Sequence, residues 1–418
     1  MTNNLQFPMN ISLFPLLLIL SATAHSLPPP HPTLSLTDLF ALRAIRATLR
    51  DAPGAPTNFF STWDFTASDP CTSFSGVTCS LDPISPYTLR VSTLTLGTGR
   101  SDSPGLLGSL SNSIAFLTQL TQLVLFPGRV SGTIPSEIGF LRNLRVISLT
   151  SNDLTGIIPD TFSQLKNLHT LDLSDNRLTG FIPHSVVNLP LLKVLILSSN
   201  HISGELPPLP TTDLLHLDLR NNKISGTLKP SRTSSIPLSL RYLSLSNNVM
   251  WGPLDNGLFE SLSNLVFLDL SMNRFTGSLP PSVFLPSSLF LQRNFFNGQL
   301  PKTIPPGSTG SSIVDLSHNT LSGTIPEALA GVETLYLNNN RFSGSVPERY
   351  VESVYGGTMK TLYLQHNYIS EFPVELGMAL PDSASLCVSY NCMVPLAALT
   401  VSCPASAGSQ IFPAGSPV

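Results

Sequence analysis

Asn143 to Lys166 reads NLRVISLTSNDLTGIIPDTFSQLK, and its spacing decides the fold. Leu144, Ile147 and Leu149 form an L-x-x-L-x-L comb, Asn152 follows three residues later, and Leu154, Gly156, Ile158 and Pro159 form a second comb. The frame returns 24 residues on with Leu168, Leu171, Leu173, Asn176, Leu178, Gly180, Ile182 and Pro183. It returns again at Leu192, Leu195, Leu197, Asn200, Ile202, Gly204, Leu206 and Pro207. Self-similarity at such a period predicts a solenoid.

One unit cannot fold alone. Ordering costs roughly 1–2 kcal/mol of backbone entropy per residue, whereas a fully buried Leu or Ile returns about 1.5–3 kcal/mol. Stacked units share their apolar faces, so stability becomes a sum of unit and neighbour terms and the ends need caps. The Leu-x-Leu pair predicts a short strand whose alternate side chains point inward. The Asn after it can both donate to and accept from backbone groups at the bend, so its column is expected to be buried structure. That position is Gly128, Asn152, Asn176, Asn200, Asn222, Asn248, Asn273, Asn294, Asn319, Asn340 and Asn367, after a degenerate first unit on Val91, Leu94 and Leu96. The gaps are 24 residues in the first three intervals and vary from 21 to 27 thereafter. The variation falls in return segments such as 229–237 and 301–311, where surface loops accept insertions; Glu371 replaces the repeat Gly in the last unit.

Charged residues make up 11% of the 418-residue chain and the net charge is −3. No basic field suggests nucleic acid and no acidic tail is present. Residues 1–24 read as a secretory signal, with the apolar run ISLFPLLLIL at 11–20 and the small residues Ala22-Thr23-Ala24 ahead of a cleavage point. That run is too short to span a bilayer, and no transmembrane segment is expected in the mature chain. Residues 25–34 form a Pro-rich leader. Leu39, Leu42, Ile45 and Leu49 predict an amphipathic helix over about 37–50, with Ser35, Thr37 and Asp38 as capping residues and Arg43, Arg46 and Arg50 as a solvated basic stripe. Cys71 and Cys79, eight apart in a secreted chain, are expected to pair.

A helix, a W…DPC…GVTC segment (Trp63, Asp69-Pro70-Cys71, Gly76-Val77-Thr78-Cys79) and repeats of the form L-x-x-L-x-L-x-x-N-x-L-x-G-x-I-P together resemble the plant extracellular leucine-rich-repeat family. That family comprises receptor-like kinase ectodomains, receptor-like proteins and secreted polygalacturonase inhibitors. The resemblance runs over about residues 35–403; Phe74 stands where the family usually has Trp. It implies a right-handed α/β repeat solenoid of about twelve units, with an N-terminal cap at 35–88, repeats at 89–380, a cysteine-bearing C-terminal cap at 381–405 and a flexible tail at 406–418. Cys387, Cys392 and Cys403 allow three pairings and leave one cysteine over. Receptor-like proteins of the family continue into a membrane anchor, and this chain resembles the ectodomain only.

Function is expected on the outward face of the strands, concave in this family. Two clusters stand out there: His216, Arg220, Tyr242 and Phe267 on neighbouring units, and Phe290, Gln292, Tyr336, Asn338, Tyr363 and Gln365 further on. Aromatic rings beside amides and Arg are the composition of protein interfaces. The carboxylates of the recurring Leu-Asp-Leu, at Asp172, Asp218 and Asp269, and Asp315 of a Val-Asp-Leu in the same column read as lateral polar structure, with Asp218 and Arg220 a local pair. No H-E-x-x-H, G-x-S-x-G, P-loop or kinase motif set occurs, and no cofactor or metal is expected. The resemblance therefore implies a non-enzymatic extracellular receptor-like protein that binds a peptide or protein and works through a receptor-like kinase co-receptor in signalling or defence. A secreted inhibitor of wall-degrading enzymes and a cell-wall scaffold are the alternatives. The one N-x-[S/T] sequon, at Asn10, lies within the signal, so a mature chain free of N-glycans is expected.

Overall fold

The computed structural model describes residues 31–54, 58–66, 69–99, 104–209, 212–229, 239–305, 313–373, 380–393 and 403. The signal at 1–24, most of the Pro-rich leader, Asn10 and the tail at 406–418 lie outside the described residues. Each turn contributes one short strand to a 15-stranded sheet. The register is parallel and unbroken: Thr170, Val194, His216, Tyr242, Phe267, Ser288, Ile313, Thr334 and Thr361 lie side by side. The Leu-x-Leu side chains between them are buried along the whole stack. A second tier of strands runs from Leu49–Asp51 to Tyr368–Glu371 in three smaller sheets.

The Asn column joins the turns. Asn200 donates Nδ2 to the carbonyls of Leu173, Leu197 and Ser198 at 3.0, 3.2 and 3.2 Å and accepts the Leu178 N–H at 2.9 Å. The residue before each Asn is left-handed, with φ of 51–58° from Ser151 to Tyr390. The repeat Gly has its own constraint: at Gly180, φ is +79° and a Cβ would lie 2.7 Å from Ile157 Cγ2. Where Glu371 replaces that Gly, the strand pairing slips between Gly344 and Ser345.

The structure corrects three expectations. The helix is Leu36–Thr48, and Leu49–Asp51 turns extended to pair with Leu106–Ser109. Ser35 makes no side-chain cap bond, and Asp38 is fully buried, where it accepts from Arg90 Nε at 3.0 and 3.1 Å and from the Val91 N–H at 2.8 Å. It thereby pins the helix to the first repeat strand. The basic stripe is solvated as expected at Arg43 and Arg50 and partly so at Arg46, and Arg43 and Arg46 also lie over the rings of Phe65 and Phe60 at 5.5 and 4.7 Å. Lastly, the repeat frame does not stop at 380: Ser385–Cys387 adds another parallel strand, and Asn391 takes the ladder position by accepting the Ile369 N–H.

Both caps carry a disulfide. Cys71 pairs with Cys79, Cys387 pairs with Cys403, and Cys392 is exposed and unpaired. Phe74 is buried and stacks on Trp63 at 5.2 Å, and Trp63 Nε1 donates to the Ser75 carbonyl. At the leader's end, Thr33–Leu34 already pairs with Thr88 and Leu89.

Replacing a ladder Asn strands groups in the turn before it, at about 1–3 kcal/mol for each buried group left unpaired. Asn200→Ala is expected to lower stability by about 2 kcal/mol or more, read as a fall in the urea midpoint. His201→Ala, at the exposed neighbour, should cost under about 0.5 kcal/mol; equal effects of the two would refute a structural role for the ladder.

Candidate functional site: an aromatic line on the long sheet

The strand register brings His216, Tyr242 and Phe267 to directly opposed positions on three successive strands. Their rings stack face to face, His216 on Tyr242 at 4.0 Å and Tyr242 on Phe267 at 4.4 Å, each pair within 3° of parallel. Those separations fall below the 4.7–4.9 Å typical of neighbouring strands, so the rings lean together. Phe290, two positions further along the next strand, closes on Phe267 at 5.5 Å with a 43° tilt. Phe290, expected in the second cluster, therefore joins the first: four rings form one line across four turns, about 14 Å long at that strand spacing.

Stacking hides the ring faces and leaves their edges outward. Edges carry the positive side of the aromatic quadrupole, so the line offers apolar area together with a preference for carbonyl or carboxylate oxygens at its rim. Polar groups flank it. Asp218 lies within 3.5 Å of Arg220 Nε and accepts the Arg220 N–H, while the Arg220 side chain remains half exposed. Burial holds the His216 imidazole below its ordinary range and pushes the Asp218 carboxyl and the Tyr242 phenol up. His216 thus stacks as a neutral ring near pH 7.

Beyond the line, Tyr336 and Tyr363 meet edge to face at 5.1 Å, and the Tyr363 hydroxyl lies 3.2 Å from Ser385 Oγ. Gln292 is partly buried, while Asn338 and Gln365 are only 7% and 3% exposed. Arg220 in the same column stays exposed, whereas these two amides are buried and present little surface to a ligand. The Asp column is built into the same bend. Asp172 and Asp269 each accept both the N–H and the hydroxyl of the Ser two residues on, and Asp315 accepts the Ser317 N–H. Among the described residues, no group of three His, Cys, Asp or Glu is placed to hold a metal ion, and no helix is long and apolar enough to cross a membrane.

Asp315 lies in register between Phe290 and Tyr336. Burial there pushes its carboxyl up to about 6, against the 3.8 of an unperturbed Asp. Between those values the folded chain holds a proton that the unfolded chain lacks, so stability rises as pH falls from 6 towards 3.8. Asp315→Asn keeps an acceptor for Ser317 and removes the charge. It is expected to raise the denaturation midpoint at pH 7.5 and to change it little at pH 4.5; the same shift at both values would contradict this titration.

The family model for the leucine rich repeat N-terminal domain matches residues 35–80, and leucine rich repeat models match residues 142–202, 264–284, 312–332 and 331–350. Receptor-like protein 39 of Arabidopsis thaliana is 35% identical over 88 residues, covering 20% of this chain and 10% of that protein. The crystal structure of PEPR1-AtPEP1 superposes with a TM-score of 0.69 and 29% identity, over 85% of this chain and 52% of that one. The ectodomain of the Arabidopsis thaliana receptor kinase GASSHO1/SCHENGEN3, solved in complex with CASPARIAN STRIP INTEGRITY FACTOR 2, gives 0.53 and 27% over 81% and 48% of the two chains. The chain thus spans about a tenth of the curated relative and about half of each of these solved chains. Repeats, N-terminal cap and architecture agree: the chain carries leucine rich repeats behind a leucine rich repeat N-terminal domain and is similar to plant receptor-like proteins and receptor ectodomains.

Proposed function

We propose that this chain is a non-enzymatic extracellular recognition protein that binds a peptide or protein along the outer face of its long sheet and acts with a receptor kinase in signalling or defence. The observation that carries the reading is the continuous ring line His216–Tyr242–Phe267–Phe290. A row of rigid ring edges over four turns matches an extended peptide laid across the strands, with Arg220 to orient it and Tyr336 and Tyr363 to extend the contact. The fixed rings lose little conformational freedom on binding, which favours affinity. The likeness to an ectodomain solved with its partner bound supports the same class of role.

The test is capture from plant extracellular fluid and solubilised membranes by residues 25–418, beside two folded double variants, Tyr242→Ala/Phe267→Ala and Tyr336→Ala/Tyr363→Ala. A peptide or receptor kinase should be recovered by the native chain. Its affinity for the first variant should fall about thirty-fold, the loss of one hot spot of about 2 kcal/mol. Capture of a wall hydrolase would replace this reading with the inhibitor, and retention of wall polymer alone, equally by all three proteins, with the scaffold.

A further inference from the structure

Four carboxylates share one column of the long sheet, and one of them sits differently. Asp172 lies in register between Ser148 and Ile196, Asp218 between Ile196 and Ser244, and Asp269 between Ser244 and Phe290. Asp315 alone among the four has a ring on both sides, Phe290 on one neighbouring strand and Tyr336 on the other. An Asp side chain is much shorter than either ring. The three residues therefore form a notch with two aromatic walls and a carboxylate at its floor.

The strands set its width. Phe290 and Tyr336 stand two strands apart, about 9.4–9.8 Å at the usual spacing. A planar group that touches a ring on each face at about 3.5–4.0 Å needs about 7–8 Å between the rings, which a slight inward lean supplies. The floor is short of donors. Among the described residues Asp315 accepts only from Ser317, whose N–H lies at 2.9 Å, whereas an ionised carboxylate has about four acceptor sites. Arg293 draws on it through space and Asp269 opposes that pull. Two residues beyond Phe290, the buried Gln292 Oε1 has no hydrogen-bond partner among the described residues. The notch thus offers acceptors and ring surface and lacks a donor.

We propose that this notch holds an arginine side chain of the peptide ligand, an inference that rests on the ring line as a peptide site. The guanidinium is planar, so it stacks between the two rings, and its fork of N–H donors matches a carboxylate two-pronged. A lysine ammonium would pair with Asp315 but could not cover two ring faces at once. An apolar side chain would close the notch over an unpaired carboxylate, which is costly. Arg220, half exposed, stands four strands away, about 19–20 Å, and suits an anion. Together the two groups give the ligand a polarity: an arginine and a carboxylate about six residues apart on an extended chain.

The probes are pools of synthetic decapeptides, random in Ala, Ser, Leu and Pro except for one central residue that is Arg, Lys, citrulline or Glu, passed over immobilised chain of residues 25–418. Citrulline keeps the planar shape of Arg without its charge. At pH 7 the Arg pool is expected to be retained about tenfold more strongly than the citrulline pool, with Lys between them and Glu weakest. Asp315→Asn should bring Arg and citrulline within twofold of each other, and Tyr336→Leu should cut the Arg preference about threefold. Asp172→Asn, in the same column without rings beside it, should leave the preference intact. Because burial lifts the Asp315 carboxyl to about 6, the preference should grow about tenfold from pH 5 to pH 7 as the carboxylate forms. The Tyr336 phenol is pushed up, away from that window. His318, three residues on, is held below its ordinary range, and a flat pH profile in Asp315→Asn separates its charge from that of Asp315. Equal retention of the Arg and citrulline pools, or an Arg preference that survives Asp315→Asn, would overturn the proposal and leave the ring line standing. Tyr242→Ala/Phe267→Ala should instead lower retention of every pool and keep the Arg-to-citrulline ratio, and retention of no pool by the native chain would overturn both readings.

Discussion

The molecule depends on one interaction, the amide of each ladder Asn bonding the backbone of the turn before its own. A solenoid turn must reverse direction inside an apolar stack, where an unpaired peptide group costs about 1–3 kcal/mol. Asn meets this because one side chain both donates and accepts. The bend demands a left-handed residue immediately before it, and the chain fills that position with Asn at 221, 247 and 339 and with Asp175, residue types that tolerate the conformation. Met272 and Arg293 take it too, at a strain of about 1–3 kcal/mol that the surrounding ladder bonds hold in place.

Most of the fold was legible because its cause is one-dimensional. A repeated comb of Leu with an Asn at fixed offset can be read from spacing alone, and so can the Cys71–Cys79 pair. What escaped the reading depends on partners far along the chain. Asp38 looks like a helix cap until Arg90, 52 residues on, is seen beside it. Asn391 was hidden because Cys387 and Val388 blur the comb around it, although its side chain makes the same bonds as its predecessors.

The site shows the same division. Spacing placed His216, Tyr242, Phe267 and Phe290 on the outward face, but whether rings present faces or edges depends on side-chain rotation that no spacing encodes. Phe290 joins the first cluster because an aromatic in one column leans diagonally onto another in its neighbour. Asn338 and Gln365 share a column with the exposed Arg220, yet both amides are buried, which spacing does not reveal.

The ladder also has a direction. Asn176 completes the turn of Leu154, Asn200 that of Leu178, and Asn391 that of Ile369; each amide serves the residues made before it. During synthesis from the N-terminus, the newest turn therefore waits with open backbone groups until the next Asn emerges. At about 5–20 residues per second, one 24-residue repeat means a lag of about 1–5 s. Assembly is then a moving front that trails the emerging chain by one turn, and Asn391 carries the last ladder amide among the described residues.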